Sequence, residues 1–336
     1  MQKRHVTIPV FIPQLGCPFE CIYCNQRNIT GRKFPPSRDE VEKIITAHLS
    51  TIPRNGCIID VGFFGGNFTG IPLEHQEKYL KTVASFVDAG AVDGIRVSTR
   101  PDYIDDASLS LLKKYGVGTV ELGAQSCDDE VLMLAGRGHT VAQIREASKL
   151  VITYSMQLGL QMMIGLPGDT LEKSFSTAVS FVEMEAAFAR IYPALVIRGT
   201  GLEELYRKGK YSPLDLEEAI VWTKEIMRFF EKKEVRVIRV GLHPTEGLLS
   251  RESLVAGPFH PSLRELVLTD IWKDIWEDVI KNKRGDQVTL MVAPEAINHA
   301  VGYQGKNRNF LKTFFRSVII KTAADLSGRQ YRAYFG

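Results

Sequence analysis

The chain has 336 residues, with 42 basic and 39 acidic side chains, a formal net charge of +3, 44% hydrophobic residues and 24% charged residues. These proportions are ordinary for a globular protein and exclude a disordered chain, which lacks enough apolar surface to offset its ordering entropy. No apolar run approaches the roughly 20 residues that a membrane-spanning helix needs, so we expect no membrane partner.

The first 13 residues, MQKRHVTIPVFIP, contain a short apolar run broken by prolines and lack a signal-peptide cleavage pattern, which favours a cytoplasmic protein. From there to about residue 240, short β-branched runs alternate with helical patterns. The predicted strands are 7–12, 58–64, 94–99, 118–123, 158–164, 189–197 and 235–240. The predicted helices are 37–50, 74–89, 105–115, 140–155, 170–186 and 216–232. Ser37 with Glu40, and Thr140 with Gln143, have the spacing of helix capping boxes.

Apolar strands that alternate with helices predict an α/β fold with a parallel sheet covered by helices. The strands run into glycine-rich or polar loops, namely QLGC, GGNFTG, RPD, AQS and GLPGD. In parallel α/β folds the loops after the strand C-termini form the active face. We therefore predict a partial (βα)6 TIM-like barrel, with a doubly wound open sheet as the alternative. No GxGxxG follows the first strand, which disfavours a dinucleotide-binding domain.

The alternation of predicted strands and helices ends at about residue 245. An amphipathic segment, 261–282, places Trp272 and Trp276 on one helical face, and the runs QVTLMVAP and FLKTFFRSVIIK follow it. We predict a barrel domain over 1–245, including a cluster-binding loop, and a small C-terminal α+β appendage over 246–336. The appendage is a candidate for substrate or RNA binding.

Charge is concentrated at the two ends of the chain: residues 1–38 carry six basic and one acidic side chain, and residues 281–336 carry ten and three. The C-terminal cations are interleaved with aromatic residues, and this set comprises Tyr303, Lys306, Arg308, Phe310, Lys312, Phe314, Phe315 and Arg316. Such a pattern suits phosphate neutralisation and base stacking. The same residues also fit an amphipathic helix whose phenylalanines pack onto the barrel while its cations face water. Three further cations, Arg27, Arg32 and Lys33, follow the cysteine cluster.

The strongest motif is LGCPFECIYCNQ, which contains Cys17, Cys21 and Cys24 in CxxxCxxC spacing. Three thiolates on a short loop can ligate three irons of a four-iron four-sulfur cluster and leave the fourth iron open to a small molecule. A zinc site completed by Cys57 or a histidine is the alternative, but zinc sites usually show paired CxxC hooks and no second hook occurs here.

This motif resembles the signature of the radical S-adenosylmethionine (radical SAM) superfamily, CxxxCxΦC with Φ aromatic, and Tyr23 occupies Φ. The resemblance covers about residues 5–245. It implies an enzyme whose 4Fe-4S cluster is held by the three cysteines, whose open iron binds S-adenosyl-L-methionine, and whose reaction begins with a 5′-deoxyadenosyl radical. It also implies a low-potential electron donor of the flavodoxin or ferredoxin type.

Further stretches resemble those of oxygen-independent coproporphyrinogen oxidases and of the Elongator catalytic subunit. The cofactor contacts implied by this resemblance are Tyr23, Gly65, Gly66, Asn67, Ser98, Gln125, Arg137, Gln161 and Ala194. Arg137 is suited to the methionine carboxylate because its planar fork binds both oxygens. Asn67 stands where the common GGE form has an acidic residue, and Gln161 stands where relatives often have an aspartate.

The segments RGHT, GLPGDT, RIYPALVIRGT and LYRKGKYSPL are most similar to the radical SAM domain of the Elongator catalytic subunit, which modifies wobble uridines in tRNA. We expect the chain to lack the acetyltransferase domain of that subunit, so only radical initiation carries over. The resemblance makes tRNA a candidate partner, and no DNA partner is expected. A radical SAM enzyme acting on a small molecule and a non-catalytic zinc-containing RNA-binding module remain the alternatives.

Several residues near the end of the predicted barrel are weaker candidates. His243 and Glu246 form a pair that could exchange protons with substrate, and His260 lies near two prolines where a turn role is more common. Cys57 begins a buried strand and is interpreted as core. Cys127 follows the fourth strand close to the expected cofactor and is interpreted as a small buried side chain rather than a second redox thiol.

Overall fold

The fold is taken from a computed structural model that describes residues 4–12, 17, 21–25 and 34–336. The three cations Arg27, Arg32 and Lys33 lie outside these residues. The strands are β1 (Arg4–Phe11), β2 (Cys57–Phe64), β3 (Gly94–Thr99), β4 (Val117–Gln125), β5 (Gln157–Ile164), β6 (Phe188–Pro193), β7 (Val196–Ile197), β8 (Arg236–Val240), β9 (Leu254–Ala256), β10 (Gln287–Val292), β11 (Ser317–Thr322) and β12 (Tyr331–Phe335).

Helices separate most of these strands. In chain order they are α1 (Arg38–Leu49), α2 (Leu73–Asp88), α3 (Asp106–Lys114), α4 (Asp129–Leu134), α5 (Val141–Thr153), α6 (Leu171–Glu183), α7 (Gly201–Arg207), α8 (Leu216–Lys232), α9 (Glu246–Leu249), α10 (Leu263–Lys281), α11 (Ile297–Val301) and α12 (Lys306–Leu311). Both predicted capping boxes are confirmed, because the Ser37 and Thr140 side chains accept from the backbone three residues on, and their own N–H groups donate to the Glu40 and Gln143 side chains. The predicted strand and helix ranges up to residue 186 agree with the structure to within three residues.

The main sheet has seven parallel strands in the order β1-β2-β3-β4-β5-β6-β8. The order follows the chain without reversal, which distinguishes a barrel from a doubly wound sheet, whose strand order reverses at a switch point. Since β1 and β8 are the two ends of this order, the barrel is partial. The predicted α/β partial barrel is confirmed.

The two faces of the sheet differ in polarity because side chains alternate along each strand. The helix-covered face is apolar and fully buried, as at Ile8, Val61 and Val97. The concave face carries charged residues, with Arg96 on β3 and Glu121 on β4. The loops at the C-terminal ends of the strands therefore surround a polar interior.

The predicted strand 189–197 is wrong as a single element. Its first part is β6 in the barrel, whereas its last part, β7, pairs antiparallel with β9 in a separate two-stranded sheet. After Pro193 one further hydrogen bond joins the chain to β5, from the Ala194 N–H to the Ile164 carbonyl at 2.9 Å. The chain then turns away.

The C-terminal region forms a second core around a sheet in the order β11-β10-β12. Trp272 and Trp276 lie together on α10, as predicted, with ring centroids 5.0 Å apart and both side chains buried. The first half of α10 contributes Val267 and Ile271 to the barrel core, and its second half belongs to the C-terminal core. One helix thus packs against both cores.

The basic C-terminal segment does not form the single amphipathic helix considered above. Residues 306–311 are helical and 317–322 form β11, and Phe315 is buried in the C-terminal core rather than against the barrel. The four cations of the segment are exposed. Within the described part of the chain, no helix combines the length and apolar content needed to cross a membrane.

Candidate functional site: the cysteine loop and the strand ends

The described part of the cysteine loop is tied to two other segments by backbone contacts. Ile22 donates its N–H to the carbonyl of Ala135, just after α4, at 3.1 Å, and accepts from the Leu202 N–H at the start of α7 at 2.6 Å. The Asn25 amide donates to the Arg198 carbonyl at 3.2 Å. These bonds hold the loop over the C-terminal ends of the barrel strands.

Cys21 is the most buried of the three motif cysteines, and two guanidinium groups approach its thiol. An Nη1 donor of Arg137 lies 3.4 Å from Cys21 Sγ, and an Nη1 donor of Arg100 lies 4.0 Å from it. Burial raises the pKa of Cys17, although both arginines and the backbone of Asn67 oppose that shift. The two thiols and the two guanidinium groups therefore share one site, in which Cys21 is buried and Cys17 is half-buried.

Arg137 is buried, and its side chain is positioned by a glycine on β4. Its Nη2 donates to the Gly123 carbonyl at 2.6 Å. A Cβ at Gly123 would lie only 2.9 Å from that Nη2 and 3.0 Å from the Gln125 amide nitrogen. Burial opposes the charge of Arg137, but the adjacent Tyr23 and Cys21 side chains raise its pKa above the ordinary value. The absence of a side chain at Gly123 leaves room for both Arg137 and Gln125 beside β4.

Tyr23 points inward and connects the loop to the end of β6. Its hydroxyl is buried against the Cys21 thiol and has no oxygen or nitrogen partner among the described residues. Burial is the main cause that raises the pKa of Tyr23. Its ring packs with Ala194 in a small apolar cluster. Two residues predicted to contact the cofactor are thus in one group.

The glycine turn after β2 lies beside the end of β3. Gly65 has φ +97°, and a Cβ there would lie 3.2 Å from the Ile12 carbonyl oxygen, so glycine suits this close approach. Gly66, Asn67 and Ser98 line a common shallow pocket. The side-chain oxygen of Asn67 accepts from the Thr99 hydroxyl and from the Arg100 N–H. Asn67 therefore fixes the turn to the loop that carries Arg100.

Gln125 ends β4 in a left-handed conformation, with φ +69°, at an irregularity in its pairing with β5. Such a conformation in a non-glycine residue is uncommon and is found at functional sites. The Gln161 amide donates to the Gln125 side-chain oxygen at 3.2 Å. The two predicted contacts are thus joined on the concave face.

The sequence does not single out three residues of this site, although the segments RPD and RGHT contain them: Arg100, Asp102 and His139. The Arg100 guanidinium forms a two-bond pair with Asp102, at 2.9 and 2.8 Å, and donates to the Arg137 carbonyl at 2.7 Å. Burial and then Arg137 lower the pKa of His139 to about 3, so this side chain is neutral at pH 7. The sequence signal for the Arg100–Asp102 pair is an arginine and an aspartate on either side of Pro101.

The chemistry of these groups fits an iron–sulfur cluster bound by thiolates. A neutral thiol is a weak hydrogen-bond acceptor, whereas a thiolate is a strong partner for a buried guanidinium. Two arginine donors directed at Cys21 are therefore better matched by a ligated thiolate than by a free thiol. Among the described residues, no three Cys, His, Asp or Glu side chains converge as ligands of one metal ion do. Each thiolate of a cluster binds its own iron and needs no such convergence.

The weaker candidates lie elsewhere. His243 and Glu246 are exposed, and Arg239 Nη2 lies 3.4 Å from His243 Nδ1. The proton-exchange role of this pair stays a prediction. His260 accepts from the Ser262 N–H at the start of α10, which confirms a turn role.

The two remaining cysteines are structural. Cys57 is buried in the barrel core at the start of β2. The Cys127 thiol lies beside residues of α5 and α6, since Arg145, Ser180 and Glu183 act on its pKa. Burial raises the pKa of Cys127 to about 12, so its thiol is protonated at neutral pH. Cys127 is partly buried and packs against the barrel core, in line with its interpretation as a small buried side chain, and its expected position close to the cofactor stays a prediction.

Comparison with known proteins gives two family models that match consecutive parts of the chain. "Radical SAM superfamily" matches residues 11–176, and "Radical_SAM C-terminal domain" matches residues 186–273. Together they cover about three quarters of the chain.

Similar curated proteins include tRNA-modifying enzymes. The tRNA uridine(34) acetyltransferase of Dehalococcoides mccartyi is 28% identical over 61% of this chain and 52% of its own length. Human Elongator complex protein 3 is 30% identical over 61% of this chain and 40% of its own length. The chain therefore spans about half, or less, of these relatives.

A solved structure shares the fold. The archaeal Methanocaldococcus infernus Elp3 with an N-terminal deletion superposes with a TM-score of 0.66 and 23% identity, covering 82% of this chain and 64% of that protein. Its agreement extends past the barrel into the C-terminal region. Because the two matching models together cover about three quarters of the chain, the chain belongs to the radical SAM superfamily.

Proposed function

We propose that this enzyme holds a 4Fe-4S cluster through Cys17, Cys21 and Cys24, binds S-adenosyl-L-methionine at the open iron, and modifies tRNA. When bound, the reduced cluster supplies the electron that cleaves the sulfonium of S-adenosylmethionine and gives a 5′-deoxyadenosyl radical. The observation that carries the proposal is the buried Cys21 thiol with two guanidinium groups directed at it, at 3.4 and 4.0 Å.

The chain's own residues would orient the cofactor from three sides of the cysteine loop. Gly66 and Ser98 lie in one pocket at the ends of β2 and β3, where backbone atoms can approach the methionine amino group. Gln125 and Gln161 are joined on the concave face and can bond ribose hydroxyls. The predicted contact Ala194 closes the remaining side with Tyr23.

Arg137 has a distinct role in this proposal. Its Nη1 and Nη2 face Cys21 and Gly123, while its buried Nε has no hydrogen-bond partner among the described residues. An unsatisfied buried donor costs about 1–3 kcal/mol, so a ligand oxygen that reached it would be favoured. The methionine carboxylate is the acceptor proposed for this side chain.

The substrate class rests on the relatives and on charge. Curated relatives carry names of tRNA uridine(34) modification, and the exposed cations Lys306, Arg308, Lys312 and Arg316 offer a phosphate-binding surface at the C-terminal part. Phe314 is also exposed, with its ring 5.3 Å from that of Phe310. We propose that this surface, in the predicted 246–336 appendage, contacts the tRNA backbone. The electron donor is proposed to be of the flavodoxin or ferredoxin type.

The test begins with anaerobic reconstitution with iron and sulfide. A brown protein with broad absorption near ~400 nm is expected, whereas a colourless zinc-loaded protein would refute the proposal. The reduced protein is then incubated with S-adenosylmethionine and with tRNA that carries an unmodified uridine 34, and 5′-deoxyadenosine is quantified.

Stimulation by this tRNA and a mass change in it support tRNA as substrate. Turnover that no tRNA alters would instead indicate a small-molecule substrate. Cys21→Ala is the negative control, and Cys127→Ala is the matched cysteine control, because the Cys127 thiol lies beside Ser180 on α6.

A further inference from the structure

Arg100 lies directly beneath the cysteine loop and is held in one orientation. It is 2% exposed, and its Nε and Nη2 bond the two carboxylate oxygens of Asp102. The same Nη2 donates to the Arg137 carbonyl at 2.7 Å. With these atoms engaged, Nη1 is the part of the fork that faces Cys21, 4.0 Å from its sulfur.

The contacts of Arg100 differ from those of Arg137 in a way that suggests different roles for the two side chains. Arg137 approaches Cys21 from the β4 side, anchored by one backbone carbonyl, and keeps a buried Nε available. Arg100 is fixed by a bidentate carboxylate, which restricts rotation of its fork. A side chain held this way is poorly suited to reach a small ligand and well suited to place a constant charge beside the sulfur.

A fixed cation beside a ligating sulfur acts on the electron that the cluster accepts. Reduction adds one negative charge to the cluster, and a nearby positive charge stabilises that form more than the oxidised one. Net charge, hydrogen bonds to the sulfurs and solvent exposure set the reduction potentials of iron–sulfur clusters. Arg100 contributes charge from a site that is nearly closed to water, where screening is weak.

We propose that Arg100, oriented by Asp102, is a positioning residue that raises the reduction potential of the cluster bound at Cys21. The inference rests on the proposed function, since it requires the cluster. Asp102 has two effects in this arrangement: it locks the guanidinium, and its own negative charge partly offsets that of Arg100. The neutral His139, whose Nδ1 lies 3.9 Å from Asp102, adds no charge to the group at pH 7.

The experiment is a potentiometric titration of the reconstituted protein without S-adenosylmethionine, followed by the electron paramagnetic resonance signal of the reduced cluster. Arg100→Gln is expected to lower the reduced-to-oxidised ratio at a fixed potential about tenfold, which is about 59 mV for a one-electron couple. Asp102→Asn is expected to raise that ratio, because it removes a negative charge while Arg100 keeps its second anchor on the Arg137 carbonyl. Arg100→Lys should lie between wild type and Arg100→Gln, since it keeps the charge and loses the fork.

The matched control is Arg145→Gln, an arginine of α5 whose partner is the half-exposed Glu183. Its cluster potential should equal that of the wild type. A binding titration with S-adenosylmethionine separates Arg100 from Arg137, because Arg100→Gln should change the potential with less than a twofold change in cofactor affinity.

The outcomes are distinguishable from failure of the proposed function. If the wild-type protein forms no iron–sulfur cluster, the proposed function itself fails. If the wild type forms it and all three variants have the wild-type potential, the proposal for Arg100 is overturned. It is also overturned if the Arg100 and Asp102 variants fold but hold no cluster, because the pair would then act in assembly of the site.

Discussion

The concave face of the barrel contains a buried ionic group whose disruption should be costly. The Glu121 carboxylate is bonded by Arg96 Nη1 at 3.0 Å and by Arg190 through Nε and Nη2, the latter at 3.1 Å. The side chains of Glu121, Arg96 and Arg190 are 4%, 7% and 17% exposed. Arg96 also pairs with Asp60 at 3.2 Å. We predict that Glu121→Gln destabilises the fold strongly although it preserves the shape of the side chain.

The magnitude follows from what the substitution leaves behind. Two desolvated guanidinium groups would lose their common carboxylate, and breaking a buried pair by removing one partner costs about 3–5 kcal/mol. The phenylalanine rings beneath them do not replace that charge: Arg96 lies 5.5 Å above Phe188 and Arg190 lies 5.2 Å above Phe64. Because Arg96 keeps Asp60, we expect the lower half of this range, about 3–4 kcal/mol.

Urea unfolding followed by circular dichroism measures this loss as a shift in midpoint at constant slope. The matched control is Glu204→Gln on α7, which removes a carboxylate that pairs with Lys208 at 3.3 Å on the exposed surface. That change should cost less than about 0.5 kcal/mol. A Glu121→Gln protein no less stable than the control would show that the network contributes little, and would refute the reasoning from burial.

Three further predictions concern the cysteine loop. Alanine at Cys17, Cys21 or Cys24 should abolish iron binding, whereas Cys57→Ala should retain it, because Cys57 begins β2 and the cysteine loop lies beyond the other end of that strand. Iron analysis of the reconstituted variants measures this. Equal iron loss in Cys57→Ala would contradict the assignment. Arg137→Ala should keep the cluster but weaken S-adenosylmethionine binding about tenfold or more, as measured by titration of the reconstituted variant. Arg137→Lys should restore the affinity only in part. An unchanged affinity would contradict the proposed contact with the methionine carboxylate. His139 has a folded pKa of about 3 against an ordinary 6.5, so the stability that its neutral form contributes is present above pH 6.5 and is lost as pH falls. In His139→Gln the free energy of unfolding should fall less steeply between pH 6.5 and about pH 3, by up to about 1.4 kcal/mol per pH unit. Unfolding curves measured at several pH values in this range test the prediction.

The barrel was predictable because its signals are local. Each βα unit shows its own β-branched run, its own cap and its own glycine-rich exit, as at Ser37 and Gly65, and these need no knowledge of distant residues. The strand 189–197 failed for the opposite reason. The separation of β7 from β6 depends on pairing with β9, about 60 residues later, which no local pattern reveals.

The ionic group on the concave face was missed although its residues are visible in the sequence. Arg96, Glu121 and Arg190 sit in the middle of strands that were interpreted as apolar throughout. A charge inside a buried strand predicts a partner, but the partner is known only when the register of neighbouring strands is known. The register pairs Ser98 with Glu121 and Gln161 with Arg190, which brings the three charges to one face.

The same limit explains why the resemblance points to Ser98 and not to Arg100 or Asp102. The segment 97–104, VSTRPDYI, contains all three, but a resemblance identifies a position and does not report which side chain turns towards a neighbouring loop. The turn of Gly65 to Asn67 decides this, because the Asn67 side chain accepts the Arg100 N–H and sets the backbone from which Arg100 projects.

The barrel therefore uses buried arginines in two ways, distinguished by what their donors face. Arg96 and Arg190 direct theirs at carboxylates of the chain, and these ion pairs involve no ligand, although the buried Nε of Arg96 has no hydrogen-bond partner among the described residues. Arg100 and Arg137 also direct a donor at the Cys21 sulfur, which becomes a strong acceptor only as a thiolate. An ionic pair of the first kind stabilises the fold in any state of the protein. A cation of the second kind gains its full interaction when the sulfur is ligated, so cluster binding and the stability of this end of the barrel should rise together.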